Sequence, residues 1–85
     1  MSVGSYQIVY GLAAQEDLDQ LPGRVRAQIL RKIGRLQAGL HGDIKALRNA
    51  EHGFRLRMGD YRVLFDVAGE VIVIGRVGHR KHIYD

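Results

Sequence analysis

Residues 53–77 read GFRLRMGDYRVLFDVAGEVIVIGRV, and this stretch decides the fold. Phe54, Leu56 and Met58 alternate with Arg55 and Arg57, the period-two pattern of a strand with one buried face. Gly59-Asp60 turns tightly into a strand over Tyr61–Val67, and Ala68-Gly69 turns into another over Glu70–Val77. Two such short turns predict a three-stranded antiparallel meander. Side chains alternate across a strand, so Arg55 and Arg57 are expected on the face opposite Phe54, Leu56 and Met58. Arg62 is expected on the same face in the next strand.

Upstream, Ser5–Gly11 (SYQIVYG) is aromatic and β-branched and reads as a first strand. Tyr6 and Tyr10, four residues apart, share one face of it and help to cover the sheet. Leu12–Gln20 is expected to form a short helix with acidic residues in its first turns. Leu21-Pro22 breaks it, because proline lacks the next donor yet suits a helix start. A second helix is expected from about Pro22 to Ala38. Val25, Ile29, Ile33, Leu36 and Leu40 make one apolar stripe there, with Leu30 widening it. Gly39 ends that helix, and His41–Gly53 reads mostly as loop. The resulting β-α-α-β-β-β order implies an α+β domain over residues 1–85. A helical hairpin would pack on one face of an antiparallel-rich, four-stranded sheet, leaving the other face wet.

Eighty-five residues allow one core and no second domain. The apolar fraction of 46% is that of a folded protein. There is no cysteine for a disulfide or a thiolate metal site, which suits a reducing compartment. No apolar run reaches the ~18 residues of a membrane span, and the N-terminus lacks a secretion pattern, so a cytoplasmic location is expected. The net charge is +4. Five basic and no acidic residues fall between Arg24 and Arg35, and eight basic against five acidic between Lys45 and Asp85. Such a surface draws polyanions.

On residues alone, two arginines on one strand face are as compatible with solvated surface as with anion binding. What favours the second is the local absence of an alternating acid in GFRLRMGDYR. Arginine presents a planar fork of donors matched to phosphate, and it keeps its charge. Arg80 and Tyr84 follow the last strand closely enough to reach its edge, and a tyrosine ring can stack on a base. Lys45 and Arg48 are expected as solvated cations able to contact a nucleic-acid backbone. His41, His52 and His82 read as surface, and Phe54 and Phe65 as core.

GFRLRMGDYRVLF, an Ile/Val strand and then RVGHRKHIY together resemble the RelE/ParE toxin superfamily. The resemblance spans most of the chain, including the LPGRVRAQILRKI helix. It implies a compact α+β fold and, for the RelE branch, metal-free cleavage of mRNA in the ribosomal A site, with no cofactor. It places Arg55, Arg57, Arg62, Arg80 and Tyr84 at the family's catalytic positions, with His79 beside them. Arg62 and Arg80 are then expected to neutralise the phosphorane as the 2′-OH attacks the adjacent phosphate. The best-studied RelE members carry lysines where this chain has Arg55 and Arg57, and an arginine does not give up its proton. A base must come from elsewhere: His79 first, with Tyr84 and Glu51 behind it, unless ribosomal alignment alone suffices. The implied partners are the ribosome, mRNA and a cognate RelB-like antitoxin in a hetero-oligomer. Two other functions fit the same residues. One is a ParE-like inhibitor of DNA gyrase; the other is a module that binds RNA without cutting it.

Overall fold

The structure is a computed structural model and describes residues 5–83. Five strands form one mixed sheet: β1 (Gln7–Tyr10), β2 (Ile44–Ala46), β3 (Phe54–Met58), β4 (Tyr61–Ala68) and β5 (Val71–His79). Their spatial order is β1-β5-β4-β3-β2. The meander pairs antiparallel as expected, and β1 runs parallel to β5, with Tyr10 opposite Ile74. The expected four strands are corrected to five by β2, which pairs Lys45 with Arg55 inside the segment read as loop. Both hairpins of the meander have two-residue loops led by a glycine at positive φ, Gly59 at 58° and Gly69 at 60°. A glycine there takes that φ without a steric penalty, and the turn keeps the strands' twist.

Two helices lie on one sheet face, α1 (Leu12–Asp19) and α2 (Gly23–Gly34), and a 3-10 turn over Arg35–Ala38 continues the second. The stripe holds in its middle: Ile29, Ile33 and Leu36 are fully buried and Val25 packs beside them. Its margins do not. Leu30, inside α2 but one residue on from buried Ile29, is 39% exposed. Leu40 is 38% exposed because it follows the 3-10 turn and Gly39 (φ 144°), where the chain changes direction. Ala14 and Leu18 of α1 join these residues over Leu56, Val63, Phe65, Ile72, Ile74 and Val77 of the sheet. Phe54 stacks on Phe65 at 5.4 Å between ring centres, and Tyr6 and Tyr10 close the side of this core.

The first turn of α1 carries no acidic residue, which corrects the expected dipole role. Asp17 instead serves the sheet. β1 ends at Tyr10, so the far half of β5 has no strand on that side. The Asp17 carboxylate accepts the Val77 N–H at 2.9 Å and Arg76 Nε at 2.8 Å. An unpaired edge donor is thereby satisfied by a helix side chain. No helix among the described residues is long and apolar enough to cross a membrane.

Candidate functional site

The helix-free sheet face is ordered by its register. Arg57 lies opposite Arg62, which lies opposite Gly78; two residues along, Lys45, Arg55, Leu64 and Arg76 form the next row. The row after that reaches Asp66, paired with Val73. Between the last two rows the ladder shifts register, with Leu64 opposite Arg76 and Phe65 opposite Ile74, so Gly75 is the extra residue of a bulge. Arg55, Arg57, Arg62 and Lys45 therefore share a face, and only the pairing of three strands brings them together.

Each arginine is held differently. Arg62 is only 6% exposed, and its NH1 donates to the Gly59 and Tyr61 carbonyls at 2.7 and 2.9 Å. Those bonds orient the guanidinium and leave Nε and NH2 without a hydrogen bond among the described residues. Arg55 donates weakly to Asp43 at 3.4 Å, and its Nε is buried with no partner. Arg57 is half exposed, with Nε 3.9 Å from the same Asp43 carboxylate. The acid missing from the local sequence thus arrives from just before β2, twelve residues from Arg55. Arg80 extends the β4–β5 ladder through its N–H to the Asp60 carbonyl at 2.7 Å, and its Nε lies 3.7 Å from that residue's carboxylate. Lys45 is exposed on β2, and Arg48 is exposed in the following loop.

His79 departs from expectation. Its partner across the ladder is Tyr61, one residue out of phase with Arg62, so its side chain belongs to the helix-side face. The ring packs edge-on against Tyr61 at 5.5 Å, and Nδ1 accepts the Lys81 N–H at 3.1 Å. The expected convergence of His79 with Arg62 is corrected by this parity. Tyr84 lies outside the described residues. Among the described residues no group of three His, Asp or Glu side chains is gathered to hold a metal.

His52, read from the sequence as surface, is instead partly buried against Asp66 on the arginine face. His52 Nδ1 and Asp66 Oδ2 are 2.9 Å apart, and the other Asp66 oxygen accepts the Gly53 N–H at 2.7 Å. Burial pushes the Asp66 carboxyl up, but the hydrogen bonds from His52 and Gly53, aided by the imidazolium charge, outweigh it. The net effect holds the acid below its ordinary value. The imidazole lies over Gly75, where any Cβ would collide with it. An open cleft of about 410 Å³ runs beside it, lined in part by Glu51, His52, Leu64, Arg76 and Ile83. Nothing in the spacing of His52 and Asp66 signals this contact; it follows from the β3–β4 register and the bulge.

Comparisons with known proteins identify the fold and the family. The family model described as ParE toxin of the type II toxin–antitoxin system parDE matches residues 3–84. Toxin RelE3 of Methanocaldococcus jannaschii is 33% identical over 84 residues, covering 93% of this chain and 96% of the relative. In the RelB–RelE antitoxin–toxin complex from Methanococcus jannaschii, a chain 33% identical superposes with a TM-score of 0.75, covering 91% of this chain and 95% of that one. In the toxin–antitoxin complex RelBE2 from Mycobacterium tuberculosis the values are 32% identity, 0.77, 89% and 99%. The isolated RelE toxin of E. coli shares the fold, with a TM-score of 0.74 at 20% identity over 88% of this chain and 84% of that one.

Proposed function

We propose, from the premise that this chain belongs to the RelE/ParE superfamily of type II toxins, that it is a ribosome-dependent mRNA endoribonuclease working without a metal. The observation that carries this reading is the shared face of Lys45, Arg55, Arg57 and Arg62. Its guanidiniums retain uncommitted donors, including a buried Arg55 Nε with no partner. A buried unsatisfied donor is costly and is relieved by an anion. In the cleavage the ribose 2′-OH attacks the adjacent phosphate, and Arg62 and Arg80 neutralise charge on the phosphorane. One such positioned donor lowers the barrier by about 3–4 kcal/mol. Arg55 and Arg57 hold the neighbouring backbone, Tyr84 contributes a ring and a hydroxyl, and Lys45 and Arg48 contact ribosomal RNA phosphates. The complexes formed by relatives support a RelB-like antitoxin as protein partner. The edge strands β1 and β2 offer it free backbone groups for strand addition.

The test adds the purified protein to mRNA-programmed ribosomes and maps new RNA 5′ ends, with free mRNA and Arg80→Ala as controls. Cuts at A-site codons on ribosomes only, lost in the variant, are the expected result. Intact mRNA overturns the nuclease reading. The match to the ParE family model favours one second reading, a gyrase inhibitor. Arginines at 55 and 57, where the studied nucleases have lysines, support it too. A supercoiling assay on the same preparation separates the two.

A further inference from the structure

We infer that His52, oriented by Asp66, is the proton-transfer group of the cleavage in this chain; the inference rests on the nuclease reading above. The chemistry needs a group that can take a proton, and neither Arg55 nor Arg57 can do so. His79 belongs to the other face of the sheet. His52 is on the correct face, and its ring is fixed rather than free. Its Nδ1 is bound to Asp66, Asp66 is bound in turn to the Gly53 N–H, and the ring rests on the bulge at Gly75. An ionised Asp66 accepts from Nδ1–H, so the neutral imidazole carries its proton there and leaves Nε2 as a bare acceptor. Nε2 has no hydrogen-bond partner among the described residues, and the imidazole lines the cleft. An acid that fixes the tautomer and orientation of a histidine is the arrangement by which an imidazole serves as base.

The placement relative to phosphate follows from the strand. Leu64 stands midway between Arg62 and Asp66, about 6.6 Å from each at ~3.3 Å per residue. It is 8% exposed, so it makes a dry floor for the cleft. A phosphate above Leu64 has Arg62 on one side and the dyad on the other, with Arg55 and Arg76 across the same row. A low-dielectric floor strengthens each of those interactions. In the step, Nε2 takes the proton of the 2′-OH, the 2′-oxygen bonds to phosphorus, and the bond from phosphorus to the 5′-oxygen breaks. The proton returns through water to the leaving 5′-oxygen, giving a 2′,3′-cyclic phosphate and a 5′-hydroxyl. Besides its partner Asp66 from β4, the titratable or charged groups that line the cleft with the ring are Glu51 in its own loop and Arg76 from β5.

The experiment measures single-turnover cleavage on programmed ribosomes against pH for the wild type and His52→Asn. Asparagine keeps a donor near Asp66 and removes Nε2. A positioned general base contributes about 10²–10⁴-fold. We expect the wild-type rate to fall toward acid pH, and the variant to lose at least 100-fold together with that acid limb, at a thermal midpoint close to wild type. A variant that cleaves at the wild-type rate with the same profile overturns the role of His52 and leaves the nuclease reading intact. A wild-type rate that does not fall toward acid pH also overturns it, and needs no variant to fold. Wild-type protein that leaves mRNA uncut removes the nuclease reading, and this inference with it.

Discussion

Arg62 closes the β3–β4 turn with the same guanidinium that faces the basic surface. Its bonds to the Gly59 and Tyr61 carbonyls mean that Arg62→Ala should lose stability as well as activity. Charged hydrogen bonds of this kind contribute about 2 kcal/mol together with the cost of the carbonyls left bare. A denaturant titration should show that loss, while Arg80→Ala, exposed and paired loosely with Asp60, should stay within ~0.5 kcal/mol of wild type. Asp66 supplies a pH signature. Its folded pKa is lowered, so its contribution is present above the unfolded value of about 3.9 and is lost as pH falls through the folded value. Asp66→Asn should therefore flatten the fall in denaturation midpoint as pH drops below about 3.9. The arginines at this scale were legible from alternation alone. Their acidic companion was not, because Asp43 reaches Arg55 and Arg57 only through the β2–β3 pairing.

Among the elements, the bulge in β5 joins fold and site. Gly75 is both the extra residue of the ladder and the floor under His52, so Gly75→Ala should cost about 1–3 kcal/mol through overpacking. In the double variant with His52→Ala most of that cost should vanish, since the ring is what the methyl meets; urea midpoints of the four proteins test the coupling. At the opposite edge of β5, Asp17→Ala removes the acceptor of the Val77 N–H and the partner of Arg76. An expected loss of about 1–3 kcal/mol would show in the same measurement. The meander and both helices follow from periodicity and turn chemistry. β2 does not, since three residues between glycine-rich and polar stretches carry no strand signal of their own. It forms because β3 has backbone groups to satisfy on that side.

For the whole molecule, the proposed binding to RNA should weaken as salt rises, given the net charge of +4 and the arginine face. Log affinity against log salt concentration should be linear, and Lys45→Ala should reduce its slope by about one without changing any sequence preference. An unchanged slope would place Lys45 away from the nucleic acid. The sequence by itself determined the α+β class, the β-α-α-β-β-β core order and the apolar residues that build the core, because those depend on local period and on turn residues. It also determined that Arg55 and Arg57 share a side. Tertiary structure alone decided that β2 joins the sheet, that Asp17 guards β5 and that His79 falls on the helix-side face. It alone decided that His52 meets Asp66. Each of these depends on register, and a shift of one residue, such as the bulge at Gly75, moves a side chain to the opposite face with no trace in the local pattern.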